Sequence, residues 1–311
     1  MKKAISKNSL VLSANKSVLD WFNAEGRDLP WRTTRDPYAV LISEIMLQQT
    51  QVNRVIPFYY RFMALFPTFE TLARAPLAEV IQAWSGLGYN RRAINLHETA
   101  KFVDEYLGGE LPNTQDRLME FKGIGSYTAS AICCFAFDSA VPVLDTNTKR
   151  VLSRFIFGIK PPSLKQLTAL ASTMVPTDQA WGWNQALMDL GAMVCLPNAP
   201  KCQSCPVQSI CKASAYFTDD ALEFSRKLKP LHSGTRPFHE SRRYFRGRVL
   251  ALLSQLDNKE TMEFSRLGEK LYKDFGEENH PWLLELLSQL QKEGLVSFFN
   301  GTKEISLPRS S

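Results

Sequence analysis

Apolar residues recur at three- and four-residue spacing through most of the chain, the period of one helix face. Residues 16–25 carry Val18, Trp21 and Phe22 on one side, and residues 38–49 carry Leu41, Ile42, Ile45 and Met46 with Glu44 set among them. Asp36-Pro37 is suited to open that second helix, with the acid as cap and proline at the first helical position. Gln48, Gln49, Thr50 and Gln51 form a polar cluster at its end. The pattern predicts further short helices over about 53–65, 68–74, 77–84, 91–107, 114–121, 126–137, 163–175 and 180–194, punctuated by prolines and glycines such as Pro67, Pro76, Gly86, Gly88 and Pro112. No long alternating strand pattern interrupts them. The body is expected to be all-α.

The tail reads differently. Helical spacing is expected over about 245–256, 262–274 and 281–293, followed by the short apolar runs 295–299 and 303–307 around Asn300-Gly301-Thr302. Asn-Gly is a strong hairpin signal. Three helices and a hairpin suggest a small winged-helix-like α+β module.

Composition adds bounds. The chain has 311 residues, enough for two or three modest domains, with 44% hydrophobic and 22% charged residues, as expected of a protein with a sizeable core. A net charge of +6 is compatible with a polyanionic partner. Residues 226–248 hold eight Lys or Arg against one acid, Glu240, and read as a tether or a phosphate-tracking arm. No apolar run suggests a signal peptide or a membrane span, so a monomer in the reducing cytoplasm is expected. The four histidines are scattered, and neither a Gly-x-Ser-x-Gly elbow nor a Gly-x4-Gly-Lys-Ser/Thr loop occurs.

Three motifs carry chemistry. Cys195, Cys202, Cys205 and Cys211 follow the spacing Cys-x6-Cys-x2-Cys-x5-Cys. A single close pair flanked by wider arms suits one loop wrapped around a [4Fe–4S] cluster better than a zinc ion, which usually takes two close pairs. Disulfides are the weakest alternative. Cys133 and Cys134, within AICCFAF, read as buried packing thiols. In the second motif, LMEFKGIGSYTASA at 118–131, Gly123 and Gly125 make a tight turn between two helices and offer amides to a phosphate. A structural corner would read the same way. Third, Asp145 precedes a predicted helix as its cap, where the helix dipole favours an ionised carboxylate.

With these residues in view, the chain resembles the endonuclease III-type helix–hairpin–helix DNA glycosylases, and among them the MutY-type adenine glycosylases. The matching stretches are LPWR (29–32), SEIMLQQTQV (43–52), GLGY (86–89), FKGIGSYTA (121–129), LDTNTKRV (144–151), NQALMDLGAMVC (184–195) and the cysteine loop. The resemblance implies a six-helix barrel domain over 30–140 containing the helix–hairpin–helix, and an iron–sulfur cluster domain built from 1–29 and 141–225. A basic linker over 226–245 and the winged-helix-like module over 246–311 complete the expected division.

It also implies roles. Glu44 matches the acid that protonates the leaving purine, and its apolar neighbours are expected to raise its proton affinity. Asp145 matches the carboxylate that stabilises the sugar cation, and Asn147 the asparagine beside the attacking water. Tyr127 stands where bifunctional relatives carry a lysine, so a monofunctional enzyme is expected. Lys149, one turn from Asp145, remains a candidate for trapping the abasic sugar. Tyr89 matches the wedge, Gln49, Thr50 and Leu87 match positions lining the opposite base, and Gln48-Gln49-Thr50 matches the adenine branch's version of that DNA-binding cluster. Arg32 and Gln185 match the adenine pocket, and Lys201 sits in the cysteine loop facing DNA. The implied partner is double-stranded DNA with a mismatched or oxidised pair.

The sequence also departs from the family. Asn90 replaces a second tyrosine after the wedge, and Asp145-Thr146-Asn147 replaces the commoner Asp-Gly-Asn. Residues 226–311 are too few and wrongly patterned for the Nudix-like domain of long members. Thymine or uracil excision opposite guanine on the same fold is the second reading. A catalytically silent iron–sulfur DNA-binding protein is the third, opposed by retention of Glu44 and Asp145.

Overall fold

The computed structural model describes residues 7–217, 241–257, 260–299 and 301–308. Most of the basic stretch expected to be a linker, 226–240, lies outside the described residues. Among the described residues, no helix is long and apolar enough to cross a membrane. The described residues form two compact units, one from within 1–37, 113–119 and 125–231, the other from within 38–112, 120–124 and 232–311.

In the first unit, α1 (Lys7–Glu25), α8 (Ser126–Phe137), α9 (Thr146–Leu152), α10 (Leu164–Met174) and α11 (Ala180–Met193) are joined by the short α7 (Gln115–Met119). Its core gathers Val18 from α1, Val151 and Leu152 from α9, Ala171 from α10 and Trp183 and Leu190 from α11. Gly191 lets α11 approach α9 closely, because a Cβ there would lie 2.6 Å from the Asn147 Cβ. After α9 the chain widens into a π-helical stretch, Ser153–Phe157, before α10. Ser163 caps α10 with a reciprocal capping box to Gln166, the arrangement expected of Ser-x-x-Gln at a helix start.

In the second unit, α2 (Pro37–Leu47), α3 (Val52–Leu65), α4 (Phe69–Arg74), α5 (Leu77–Trp84) and α6 (Arg91–Leu107) follow the predicted spans closely. Every residue of α2 from Tyr38 to Met46 is buried, so this helix has no solvent face along that run. Gly108, in the left-handed conformation, ends α6 and donates its N–H to the Val103 carbonyl.

The C-terminal module consists of α12 (Arg242–Leu253), β1 (Met262–Glu263), α13 (Phe264–Leu271), α14 (His280–Lys292), β2 (Ser297–Phe299) and β3 (Glu304–Ser306). The strands form an antiparallel sheet of order β1-β3-β2, with Met262 opposite Ile305 and Phe298 opposite Ile305 on the other side. This is a winged-helix-like arrangement. The module does not pack on itself alone. Its core, centred on Leu267, Leu287 and Leu290, also takes in Ala78 and Ile81 of α5 and Ile94 of α6.

The tail differs from expectation at three points. Residues 262–263 are strand, not the start of a helix, because Ile305 and Glu304 pair with them from far along the chain. A two-residue strand has no period of its own to read. Helix α12 starts at Arg242, ahead of its apolar pattern, because the Ser241 side chain accepts from the Tyr244 N–H and caps it. In the final hairpin the strands pair Phe299 with Glu304, and Gly301, Thr302 and Lys303 are turn. The left-handed position is Lys303 (φ 55°), and Asn300 lies outside the described residues.

Leu287, fully buried in the shared core, provides a direct test of the packing. Leu287→Ala is expected to cost about 2–5 kcal/mol, read as a lower urea midpoint at unchanged slope; a shift within error would mean that this core is not packed as described.

Candidate nucleic-acid repair site

Glu44 lies on α2 with 4% of its surface exposed. One turn later the helix ends, and the chain turns through Gln48, Gln49 and Thr50 with Gln49 at φ 59°, in the left-handed region. A second tight loop follows α5. Gly86 and Gly88 both have positive φ, and Tyr89 has φ 50°, a conformation that costs a residue with a Cβ about 1–2 kcal/mol. Tyr89 stands at 41% exposure, whereas Leu87, expected at the opposite base, is buried under the loop at 2%. The Tyr89 hydroxyl donates to Gln49 Oε1 at 3.4 Å.

Both loops are held by Arg92, which the sequence reading passed over. Its Nη1 donates to the carbonyls of Ile45 (2.7 Å), Met46 (2.8 Å) and Gln48 (2.8 Å). Its Nη2 donates to the Gly88 carbonyl at 2.8 Å and the Thr50 hydroxyl at 3.1 Å. Burial lowers its pKa to about 10, so the guanidinium remains charged at neutral pH. The carbonyls at the end of α2 have no helical partner, and one cation answers them.

The hairpin that follows α7 is tied to the same region. Gly123 adopts φ 87°, and a Cβ there would lie 2.9 Å from Asn95 Nδ2. Its carbonyl accepts from Gln48 Nε2 at 2.9 Å. Gly125 precedes α8 in an extended conformation and is exposed, as is Gly123. Tyr127 is the second residue of α8 and is half-buried.

In the first unit, Asp145 caps α9. Its Oδ1 accepts from the Thr148 N–H at 2.6 Å, and its Oδ2 from Asn147 Nδ2 at 3.0 Å. Lys149, half-buried, lies farther along the same helix. Asn147 is itself fixed, because its Oδ1 accepts from Arg150 Nη2 at 2.9 Å. Arg150 also donates to the carbonyls of Gly191 (2.7 Å) and Cys195 (2.7 Å). A continuous line of hydrogen bonds therefore runs from the first cysteine of the loop to the Asp145 carboxylate.

Arg32 Nε donates to Gln185 Oε1 at 2.8 Å, so these two expected pocket residues are brought together. Asp189, with no exposed surface, holds Arg32 by two hydrogen bonds (2.8 and 2.9 Å) and Arg27 by its side chain and backbone N–H. Burial pushes the Asp189 carboxyl up, but the bonds from Arg32 and Arg27 outweigh it and hold the group below the usual carboxylate range. Asp189 and Arg27 were not read from the sequence, where an acid inside a helix carries no distinguishing mark.

Cys195, Cys202, Cys205 and Cys211 line one cavity, together with Arg154 and Phe217. Burial raises the thiols of Cys202, Cys205 and Cys211, Cys205 to about 11, and the neighbouring sulfurs add to the effect. Four cysteine sulfurs around one cavity are a soft donor set of the kind a metal centre takes. Arg154 braces the loop by donating to the carbonyls of Leu196 (2.7 Å) and Pro197 (2.6 Å). Lys201 is exposed on it.

Residues 42–176 match the model of the HhH-GPD superfamily base excision DNA repair proteins. The adenine DNA glycosylase of Mycolicibacterium smegmatis is 41% identical over 203 residues, covering 64% of this chain and 69% of that protein. The chain belongs to the adenine DNA glycosylase family. The Homo sapiens adenine DNA glycosylase is 46% identical over 225 residues, 68% of this chain but only 41% of the human protein, so the chain spans less than half of that relative's length. Among solved structures, a thermostable thymine-DNA glycosylase superposes with TM-score 0.63 at 33% identity, over 68% of this chain and 99% of the other.

Arg150→Ala leaves the Cys195 and Gly191 carbonyls and Asn147 Oδ1 without their shared donor. Stability is expected to fall by about 1–3 kcal/mol, three partly buried hydrogen bonds being lost together. Arg150→Lys, with a single nitrogen, is expected to recover only part of it. Equal urea midpoints for the alanine variant and the parent would show that this line of bonds holds nothing.

Proposed function

We propose that the chain is a monofunctional DNA glycosylase that removes adenine mispaired with 8-oxoguanine or guanine from double-stranded DNA and leaves an abasic site. The observation that carries this reading is Glu44. A carboxyl group 4% exposed on a helix buried from Tyr38 to Met46 has a high desolvation cost, and acid catalysis accounts for keeping one there. Its place one turn before the Gln48–Thr50 bend, with the wedge Tyr89 bonded to Gln49, supports the same reading.

In the proposed reaction the target adenine is flipped out of the stack, and Tyr89 fills the gap. Glu44 gives its proton to a ring nitrogen of the base. The glycosidic C–N bond breaks, and its electron pair leaves with adenine. Positive charge develops on the sugar and is stabilised by the Asp145 carboxylate, whose oxygens are oriented by the Thr148 N–H and Asn147. Water adds to the sugar carbon and loses a proton, giving the abasic hemiacetal. Tyr127 offers no amine, so no imine forms at that position and the strand stays intact.

In this reading Cys195, Cys202, Cys205 and Cys211 would hold a [4Fe–4S] cluster, which would supply cohesion to the loop and not redox turnover. Arg150 and Arg154 then carry that cohesion into α9 and the backbone around Cys195.

A second reading, thymine or uracil excision opposite guanine, draws on the 33% identity with the thymine-DNA glycosylase over nearly all of that chain. One set of duplexes carrying A:8-oxoguanine, A:G, G:T and G:U, developed with and without alkali, separates the two. Adenine release with breaks only after alkali is the expected result, and Glu44→Gln is expected to lower single-turnover release by at least about 100-fold while still binding duplex. Activity on G:T or G:U with none on adenine would transfer the chain to the second reading.

Anaerobically purified protein is expected to contain iron and acid-labile sulfide in equal amounts, and Cys202→Ser to lose both. Zinc in their place would overturn the cluster assignment.

A further inference from the structure

The first turn of α12 is built against its own electrostatics. Arg242 and Arg243 sit at the positive end of the helix dipole, and no acidic residue accompanies them in that turn. Arg242 is answered by Glu285 at 2.9 Å, and Arg246 by both oxygens of Glu293. Arg243 has no carboxylate partner among the described residues and is exposed. Its guanidinium lies instead 4.3 Å from the centre of the Tyr89 ring. Tyr89 is the exposed, left-handed residue at the tip of the wedge loop, with Arg92 5.5 Å from the same ring.

The position of Arg243 is not a chance fold-back of a mobile arm. The C-terminal module shares its core with α5 and α6, the helices on either side of the wedge loop. Arg91, at the start of α6, donates to the Glu293 carbonyl at 2.9 Å, and Gln82 of α5 to the Leu256 carbonyl at 3.4 Å. The module is thus seated beside the loop, and Arg243 is the cation it presents there.

We propose that the C-terminal module is a second DNA-contacting element whose Arg243 binds a backbone phosphate of the duplex next to the point where Tyr89 enters the stack. This rests on the reading of the chain as an enzyme of double-stranded DNA. Without DNA, the guanidinium lies over the ring that is to be inserted. When the ring leaves for the base stack, the cation loses that partner and meets the phosphate flanking the inserted ring. An aromatic side chain that stacks and a guanidinium that takes the phosphate are complementary devices for one distorted step. The pairing also accounts for a cation kept at the wrong end of a helix.

The test uses the full chain and fluorescent duplexes, one fully paired and one with 2′-fluoroadenosine opposite 8-oxoguanine to block excision, titrated over a range of salt. Arg243→Ala is expected to weaken binding roughly three- to tenfold and to reduce the salt slope by about one, with an unchanged melting curve. Arg243→Lys is expected to restore the slope. The decisive comparison is in a Tyr89→Ala background: a phosphate contact keeps its full effect there. If the Arg243→Ala loss vanishes in that background, the arginine only props the ring and the proposal falls. An unchanged slope in the parent background overturns it as well. Failure of the unaltered chain to bind either duplex would instead refute the glycosylase reading itself.

Discussion

Helix α2 ends inside the protein, and the carbonyls of Ile45, Met46 and Gln48 have nowhere in the helix to send their lone pairs. Arg92 takes all three through Nη1, reaches Gly88 and Thr50 through Nη2, and donates from Nε to the Tyr89 carbonyl at 3.4 Å. The cost is a charge carried largely out of water, visible in its pKa near 10. The return is geometric. Two loops that contain left-handed non-glycine residues, Gln49 and Tyr89, are locked to one planar ion. Backbone strain of this kind persists only where the surroundings determine the conformation completely. A lysine, a single point of donors, could not span both loops.

The first unit uses the same device twice more. Arg150 gathers carbonyls from α11 and the cysteine loop and passes their constraint to Asn147, hence to Asp145. Asp189 inverts the roles, one buried carboxylate fixing Arg27 and Arg32 and, through Arg32, Gln185. In each case a residue of expected function is oriented by a neighbour whose only work is to saturate backbone or side-chain polar groups. Gly191 completes the arrangement by letting α11 lie against Asn147.

What could be read from sequence divides along physical lines. Helices α3, α5, α6, α8, α10 and α11 were legible because each runs for two turns or more with apolar spacing, and the six-residue α4 because Pro67 and the Thr68 cap mark its start. Glu44, Asp145 and the four cysteines were legible through motif and resemblance. The ions that orient them were not. Arg92, Arg150 and Asp189 look like any charge in a helix until distant backbone comes within 3 Å of them, and no local pattern records that approach. Strand β1 escaped for a related reason, since two residues become a strand only when β3 arrives beside them. The basic run 226–248 reads as a tether or a phosphate-tracking arm with a helix from about 245, and the Ser241 cap starts that helix at Arg242.

The shared core of the C-terminal module has a bearing on how this protein loses its structure. Ala78, Ile81 and Ile94 belong to helices that flank the loop at 86–89, yet their apolar neighbours include Leu283, Leu286 and Leu290 from the tail. Opening the tail would strip those helices of their cover and hand water a greasy patch, so the two form one cooperative opening unit and not a body with an appendage. The loop's rigidity is therefore underwritten by residues two hundred positions downstream. A change in the tail's interior thus reaches the loop at 86–89, and removing the module would leave Ala78, Ile81 and Ile94 facing water.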